Sequence, residues 1–335
     1  FHSSSLIYEK LTRFFPDVNE YKIYYAQSLY KANNYLLAYK ICNQIQPKSY
    51  KILQLLAAIK YECDELNMSQ SYIDQCTTSS SNSIENGNNK ENQINIKIIH
   101  ASILYKKNKY TQAKEIYLDI LNQNGYKPDI AYNIALCFYK LLDYKVCDPY
   151  CNDIIQYGIK HYPELSLYCN TGASIGYIKN SNELHLSALI QAFNLKIAIE
   201  YKSHHLSNCY QLLNDMPQRK LEELDAITLH NIALINGTDT SNIAKRTDSF
   251  EQLNYLLTLN EFPPETYQNL LLLYCSYDLY HLASQLLEDY IHLHEICLSQ
   301  ELYDYLEATI LILSSPDEAY KKFDKLANKH INTLR

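Results

Sequence analysis

The sequence predicts an all-α fold, a stack of antiparallel helix pairs, on three observations. Apolar residues make up 47% of the 335 positions, enough to bury a continuous core. Only 6 glycines and 9 prolines punctuate the chain, far less turn chemistry than a strand-rich fold needs. A pattern of small and aromatic residues also recurs at a spacing of 34 residues, the length of a repeat of two helices.

The first copy carries Ala26, Leu29, Tyr30, Lys31, Tyr35 and Ala38. A weaker one covers 48–76, with Ala57, Leu66 and Ser69 in register. Residues 77–93 are a polar run of Thr, Ser, Asn and Glu, read as a disordered loop because it cannot bury apolar surface. Ala101, Leu104, Tyr105, Lys106, Tyr110 and Ala113 follow, and the same template returns as Ala135, Phe138, Tyr139, Lys140, Tyr144 and Cys147. Residues 168–182, with Gly172 and Gly176, read as an irregular insertion. Weaker copies follow over 184–216 (Ala198, Tyr201, Cys209) and from Asp225 (Asn231, Ala233, Phe250, Leu257). A strong copy carries Leu271, Tyr274, Tyr280 and Ala283, and a last weak one spans 301–331 (Ala319, Phe323, Leu326). In each strong copy the large residues share one helix face. A short polar turn then reverses the chain, and the small residue lets the second helix approach the first. One pair cannot cover its own apolar faces, so neighbours must stack. This is the tetratricopeptide pattern, and it predicts a superhelical solenoid of antiparallel helix pairs running as a single array over 1–335. The chain opens on Phe1 rather than Met, as expected of a piece of a longer protein.

Composition narrows the function. The net charge is -7 with no basic block, so neither nucleic acid nor an anionic membrane is an expected partner. The longest apolar run, Leu270 to Cys275, is far short of the roughly 20 residues of a membrane span, and nothing at the start resembles a signal peptide. Ten cysteines are spread without framework spacing, mostly inside apolar helical patterns such as Cys137, Cys209 and Cys275. They read as small hydrophobes in a reducing compartment.

Catalytic chemistry finds little support. Gly172-Ala173-Ser174-Ile175-Gly176 matches the nucleophile-elbow string, but that elbow needs a preceding strand and its flanks here are helical repeats. Cys147 and Cys151, with His161 ten residues beyond, fall short of four convergent zinc ligands and occupy core positions of a second helix. His281, His292, His294 and the pair His204-His205 read as surface or interface residues. There is no phosphate loop or dinucleotide fingerprint. No enzyme activity, metal or cofactor is expected.

Longer words go beyond the generic repeat. They include Phe14-Phe15-Pro16-Asp17, Tyr24 to Ala32, Ala57 to Tyr61, Gly125-Tyr126-Lys127-Pro128-Asp129, Glu183-Leu184-His185 with Ala192 to Lys196, Asp215-Met216-Pro217 and Thr228 to Asn231. The most distinctive is Phe262-Pro263-Pro264-Glu265-Thr266 running into Asn269 to Cys275. These resemble the Fleer family of tetratricopeptide proteins, a subunit of intraflagellar transport complex B. The likeness covers almost all of 14–331, lapses at 77–93 and thins at 168–180. It implies a non-catalytic scaffold of the complex core, found in the cilium or flagellum, the basal body and the cytoplasm. It further implies a need for this protein in cilium assembly, a link to polyglutamylation of axonemal tubulin, and a wrap around a proline-rich segment of another core subunit. Family members continue well beyond this chain's last residue.

In such a repeat the first helix of each pair lines a groove. Its inward stripe is Tyr132, Leu136 and Tyr139 in the best copy, with Ile98, Ser102, Tyr105 and Ile23, Gln27, Tyr30 as equivalents. Flat rings suit an extended proline-rich ligand, although the same tyrosines could serve only to pack between repeats. Asn133, Asn231 and Asn269 each precede the small core position by two residues, where an amide can clamp a ligand backbone or bond between repeats. The alternative function is a general adaptor that reversibly binds short peptide C-termini. A basic groove would favour it, and the aromatic and aliphatic stripe favours the scaffold.

Overall fold

Every regular element described is a helix. The computed structural model describes residues 2–80, 89–165, 181–239, 243–259 and 261–334, and packing divides the chain into two units, Phe1–Tyr150 and Cys151–Arg335. The first unit holds α1 (His2–Phe14), α2 (Asn19–Lys31), α3 (Tyr35–Asn43), α4 (Tyr50–Glu62), α5 (Leu66–Ser80), α6 (Asn89–Lys106), α7 (Tyr110–Asn124), α8 (Pro128–Lys140) and the start of α9 (Tyr144–His161). The second holds α10 (Asn182–Leu186), α11 (Leu189–Lys202), α12 (Leu206–Asp215), α13 (Ala226–Thr238), α14 (Ile243–Leu257), α15 (Glu265–Ser276), α16 (Tyr280–Asp289), α17 (His294–Cys297), α18 (Gln300–Ser314) and α19 (Pro316–Leu334). The pairs α2–α3, α4–α5 and α6–α7 pack in the first unit, and α11–α12, α13–α14, α15–α16 and α18–α19 in the second.

Helix ends trim the two expected interruptions. Residues 77–80 continue α5 and residues 89–93 begin α6, so the polar run is helical at both edges. Its middle lies outside the described residues. Of the expected insertion, Ser181 caps α10 by accepting from Leu184 N, and 166–180 lie outside the described residues.

One turn design recurs. The residue after the first helix's C-cap is left-handed at Asn33 (φ 59°), Asp64 (58°), Asn108 (59°), Leu142 (61°), His204 (60°) and Asp278 (57°). The next amide then reaches back five residues to the helix: Asn34 N to Leu29 O, Glu65 N to Lys60 O, Lys109 N to Leu104 O, Asp143 N to Phe138 O, His205 N to Glu200 O and Leu279 N to Tyr274 O, all at 2.9–3.0 Å. This closure satisfies carbonyls that a helix C-terminus leaves without intrahelical donors. In three turns the left-handed side chain accepts from a tyrosine two residues on: Tyr35 to Asn33 (3.1 Å), Tyr110 to Asn108 (2.7 Å) and Tyr280 to Asp278 (2.7 Å).

Twelve residues separate the two helices' closest positions. Ala26 and Ala38 stand in this register, as do Ala101 and Ala113, and all four are fully buried. Where the second position is polar it donates to the first helix's carbonyl: Ser69 Oγ to Ala57 O at 2.6 Å, Cys147 Sγ to Ala135 O at 3.1 Å and Cys209 Sγ to Ile197 O at 3.7 Å. Two sequence registers are corrected here. In α11 the contact is Ile197 rather than Ala198, which is half-buried. In α13 it is Gly237 rather than Ala233: a Cβ at Gly237 would stand 3.5 Å from Ser249 Cβ and 3.1 Å from Leu273 Cδ1.

Candidate functional site

In the first unit the stripe residues Ile23, Gln27 and Tyr30 on α2, Ile98, Ser102 and Tyr105 on α6, and Tyr132, Asn133, Leu136 and Tyr139 on α8 are all half-buried. Three of the tyrosines pack within their own repeat. Tyr30 lies against Tyr35 with ring centroids 5.8 Å apart, Tyr105 against Tyr110 at 5.2 Å and Tyr139 against Tyr144 at 5.6 Å. Each pair clasps the left-handed turn between its helices. Tyr30 also donates to Glu62 Oε1 on the next repeat at 3.3 Å, and burial followed by that carboxylate raises its phenol pKa. Ser102 shares a 2.8 Å hydrogen bond with Tyr117 OH of α7. One face of each ring is thus committed to the fold.

Position-matched Tyr61 was missed in the sequence reading. Lys106 lies over its ring, Nζ 4.2 Å from the centroid, and donates to Tyr61 O at 3.2 Å and Asp64 Oδ1 at 2.6 Å. The ammonium thereby caps the C-terminal carbonyl end of the preceding repeat's first helix, where a cation is favoured. The signal was present: Tyr61 stands where Tyr30 and Tyr105 stand, four residues after Ala57.

In the second unit the proposed clamp asparagines edge two buried polar groups, one joining α11 to α13 and one joining α13 to α15. Asn231 Nδ2 donates to Asn194 Oδ1 at 3.1 Å, and Asn194 Nδ2 donates to Thr228 Oγ1 at 2.8 Å. Thr228 donates to Asp225 Oδ2 at 2.7 Å, and Arg219 donates to the same carboxylate at 2.9 Å. Burial pushes the Asp225 carboxyl up, but the bonds from the Thr228 amide and hydroxyl and from Arg219 outweigh it and hold it below its ordinary value. Asn269 Nδ2 lies 3.2 Å from His230 Nε2, and Thr266 Oγ1 lies 3.0 Å from His230 Nδ1. With the amide donating, Nε2 accepts and Nδ1 carries the proton towards Thr266. His230 is 5% exposed, and burial lowers its pKa to about 4. Asn231 and Asn269 therefore bond between repeats, each from a half-buried position. Asn194, Thr228, His230 and Thr266 were missed because their partners lie 34–39 residues away, beyond the reach of a single-helix stripe.

Among the described residues no group of three or more metal-ligating side chains converges. Cys147 and Cys151 are fully buried, and His161 stacks on Tyr157 at 3.8 Å and bonds its carbonyl oxygen at 3.0 Å. His294 Nε2 lies 2.9 Å from Leu287 O. The Gly172–Gly176 string lies outside the described residues. Among the described residues no helix is long and apolar enough to cross a membrane.

Comparison with known proteins agrees with the family resemblance. Residues 266–335 match the model of the intraflagellar transport protein 70 C-terminal domain. The chain is 40% identical over 331 residues to intraflagellar transport protein 70A of Xenopus tropicalis, covering 98% of this chain and 48% of that protein. It is 39% identical over 339 residues to protein 70B of Rattus norvegicus, covering 100% and 50%, and 38% identical over 333 residues to protein 70B of Homo sapiens, covering 98% and 49%. The chain spans about half the length of the curated relatives it matches. Among solved structures, a tetratricopeptide repeat protein from Parabacteroides merdae matches with a TM-score of 0.54 at 13% identity, over 88% of this chain and 98% of that one. That likeness concerns the fold.

Proposed function

We propose, from the premise that this chain is a homologue of the intraflagellar transport 70 proteins, that it is part of a non-catalytic scaffold that holds another transport subunit in the cilium. The observation that carries the reading is the identity of about 40% along 98% of the chain. The geometry adds a suitable surface: half-buried rings on the first helices, fixed on one side by their turn partners. Rings so fixed lose little side-chain entropy on binding. An extended proline-rich segment of a complex-B core subunit is the proposed occupant, because proline rings pack on flat aromatic faces and a polyproline helix is already ordered. Within the proposal Tyr30, Tyr105, Tyr132, Leu136 and Tyr139 supply apolar contact and Asn133 supplies an amide. Asn231 and Asn269 contribute only what their inter-repeat bonds leave over. A role in cilium assembly and a link to axonemal tubulin polyglutamylation belong to the same proposal.

The test is co-expression of this chain with the proline-rich segment, followed by gel filtration at low and high salt. Co-elution that survives high salt is expected, because apolar contact is not screened. A triple Tyr132→Ala, Leu136→Ala, Tyr139→Ala variant that keeps its helicity should elute apart from the segment. A wild-type chain that elutes alone, or one that captures an acidic C-terminal peptide instead, overturns the reading in favour of a reversible adaptor.

A further inference from the structure

Charge is unevenly placed along the chain. All 30 lysines and arginines lie outside residues 247–320, a stretch that carries thirteen aspartates and glutamates. Two of these are met from α19, Glu307 by Lys322 at 2.6 Å and Glu301 by Lys329 at 3.0 Å. Glu288, Asp289 and Glu295 are exposed and enter no ion pair among the described residues. No three such groups converge as metal ligands among the described residues. The three flank a break in the repeat. Helix α16 stops after 10 residues where α7 and α14 run for 15, and a 3-10 turn over Ile291–Leu293 leads into α17. Buried Leu293 and Leu298 anchor this segment, while Ile291 is 66% exposed and Ile296 75%.

A cluster of rings belongs to the same segment. Tyr290 lies 6.0 Å from exposed His292 and 6.3 Å from Tyr267, and His294 lies 6.1 Å from Tyr267 and 5.1 Å from Tyr303. Elsewhere the chain lays its own cations on tyrosine rings: Lys60 on Tyr39 at 4.1 Å, Lys106 on Tyr61 at 4.2 Å and Arg246 on Tyr277 at 4.3 Å. Among the described residues none covers Tyr290 or His292. Within the cluster the Tyr267 hydroxyl is fully buried and has no hydrogen-bond partner. Burial raises its pKa and the neighbouring Cys297 and Tyr303 add to this, so the hydroxyl lies towards α17 and α18. A buried hydroxyl left so is costly, and it points to a polar group that the chain itself does not supply here.

We propose that residues 288–296 dock a basic segment of a partner protein, one that carries both arginines and large apolar residues. Glu288, Asp289 and Glu295 take its charges and Ile291 and Ile296 its apolar side chains. The Tyr290 and His292 rings take a guanidinium, whose flat face stacks on a ring as a lysine ammonium does not. The unopposed carboxylates repel one another in the free chain, and a basic occupant relieves that repulsion. The same field repels nucleic acid and anionic lipid. The segment follows a second helix, so it is independent of the first-helix stripe and of the proline-rich segment.

The test uses two fluorescent peptides of equal length and leucine content, one with arginines between the leucines and one with glutamates. Each is titrated into the whole chain and followed by anisotropy. The arginine peptide should bind and weaken with salt, and the glutamate twin should not bind. Glu288→Gln with Asp289→Asn and Glu295→Gln changes only exposed side chains, so the variant should keep its circular dichroism. Its affinity for the arginine peptide should fall at least about tenfold, roughly 1.4 kcal/mol. Ile291→Ser with Ile296→Ser should bring a similar loss with every charge in place. As a control, Glu20→Gln with Glu115→Gln and Glu222→Gln removes the same charge from exposed positions elsewhere. Screening should keep that control within about twofold of wild type. An equal loss in the control overturns the proposal, because net charge alone then draws the peptide. Failure of wild type to bind the arginine peptide, or unchanged binding by either segment variant, also overturns it. So does concentration-dependent self-association that the Glu288, Asp289 and Glu295 variant abolishes, which would replace the partner with a second copy of the chain.

Discussion

Lowering the pH should weaken the second unit through His230. The imidazole is 5% exposed, accepts from Asn269 on one nitrogen and faces Thr266 with the other. Burial lowers its pKa from 6.5 to about 4. The unfolded chain therefore binds a proton at a pH where the fold still refuses it. The stability due to the neutral ring is complete above pH 6.5 and drains away between 6.5 and about 4. At about 1.4 kcal/mol per pH unit the loss amounts to roughly 3 kcal/mol. Asp225 works in the same direction but in a lower window, because its depressed pKa matters only as the pH falls through the carboxylate range. Urea unfolding followed by circular dichroism at pH 7.5, 6.5, 5.5 and 4.5 measures the loss. His230→Gln removes the titrating group, costs stability at pH 7.5, and should flatten the slope above pH 4.5. A slope identical in wild type and His230→Gln, or a His230 resonance titrating near 6.5 in the folded protein, refutes the reasoning.

Other perturbations probe the repeat design. Leu142→Asn should stabilise the first unit by about 1 kcal/mol, since Asn tolerates the left-handed turn and gives the Tyr144 hydroxyl an acceptor; a lowered urea midpoint would contradict this. Asn108→Ala should destabilise by about 1 kcal/mol, losing both that tolerance and the 2.7 Å bond from Tyr110. Ser69→Ala should cost about 1 kcal/mol by removing the 2.6 Å bond to Ala57 O without opening a large void, and amide exchange in α4 and α5 should quicken. Asn231→Ala should cost about 1 kcal/mol through the stranded Asn194 amide oxygen, whether or not any partner is bound.

The helix pairs were legible because a two-helix period survives in residue types: Ala101 and Ala113, then Ala135 and Cys147, mark the close approach directly. Ala198 and Ala233 misled because the fold fixes a distance of twelve residues rather than a residue type, and Ile197 with Cys209 or Gly237 with Ser249 satisfies it as well. Helical spacing put Tyr30, Tyr105, Tyr132 and Tyr139 on one stripe of the first helices, and the structure leaves all four half-buried. The engagement of Tyr30, Tyr105 and Tyr139 with Tyr35, Tyr110 and Tyr144, each five residues on, could have been read from the repeated tyrosine pairs. The two buried polar groups were not legible, because Asn194, Thr228 and His230 look alike on a helix stripe until the next repeat supplies Asn231, Thr266 and Asn269.

The twelve-residue pairing has a consequence for descent. Because two side chains share one gap, neither position drifts alone: the glycine at 237 is tolerable beside Ser249, as alanine at 26 is with Ala38 in the same register. Enlarging one partner is deleterious until the other shrinks, so the two sites are epistatic. Related chains should therefore differ at both positions together, and a laboratory revertant of an enlarged residue at 237 should map to 249 or to the yielding side chain of Leu273.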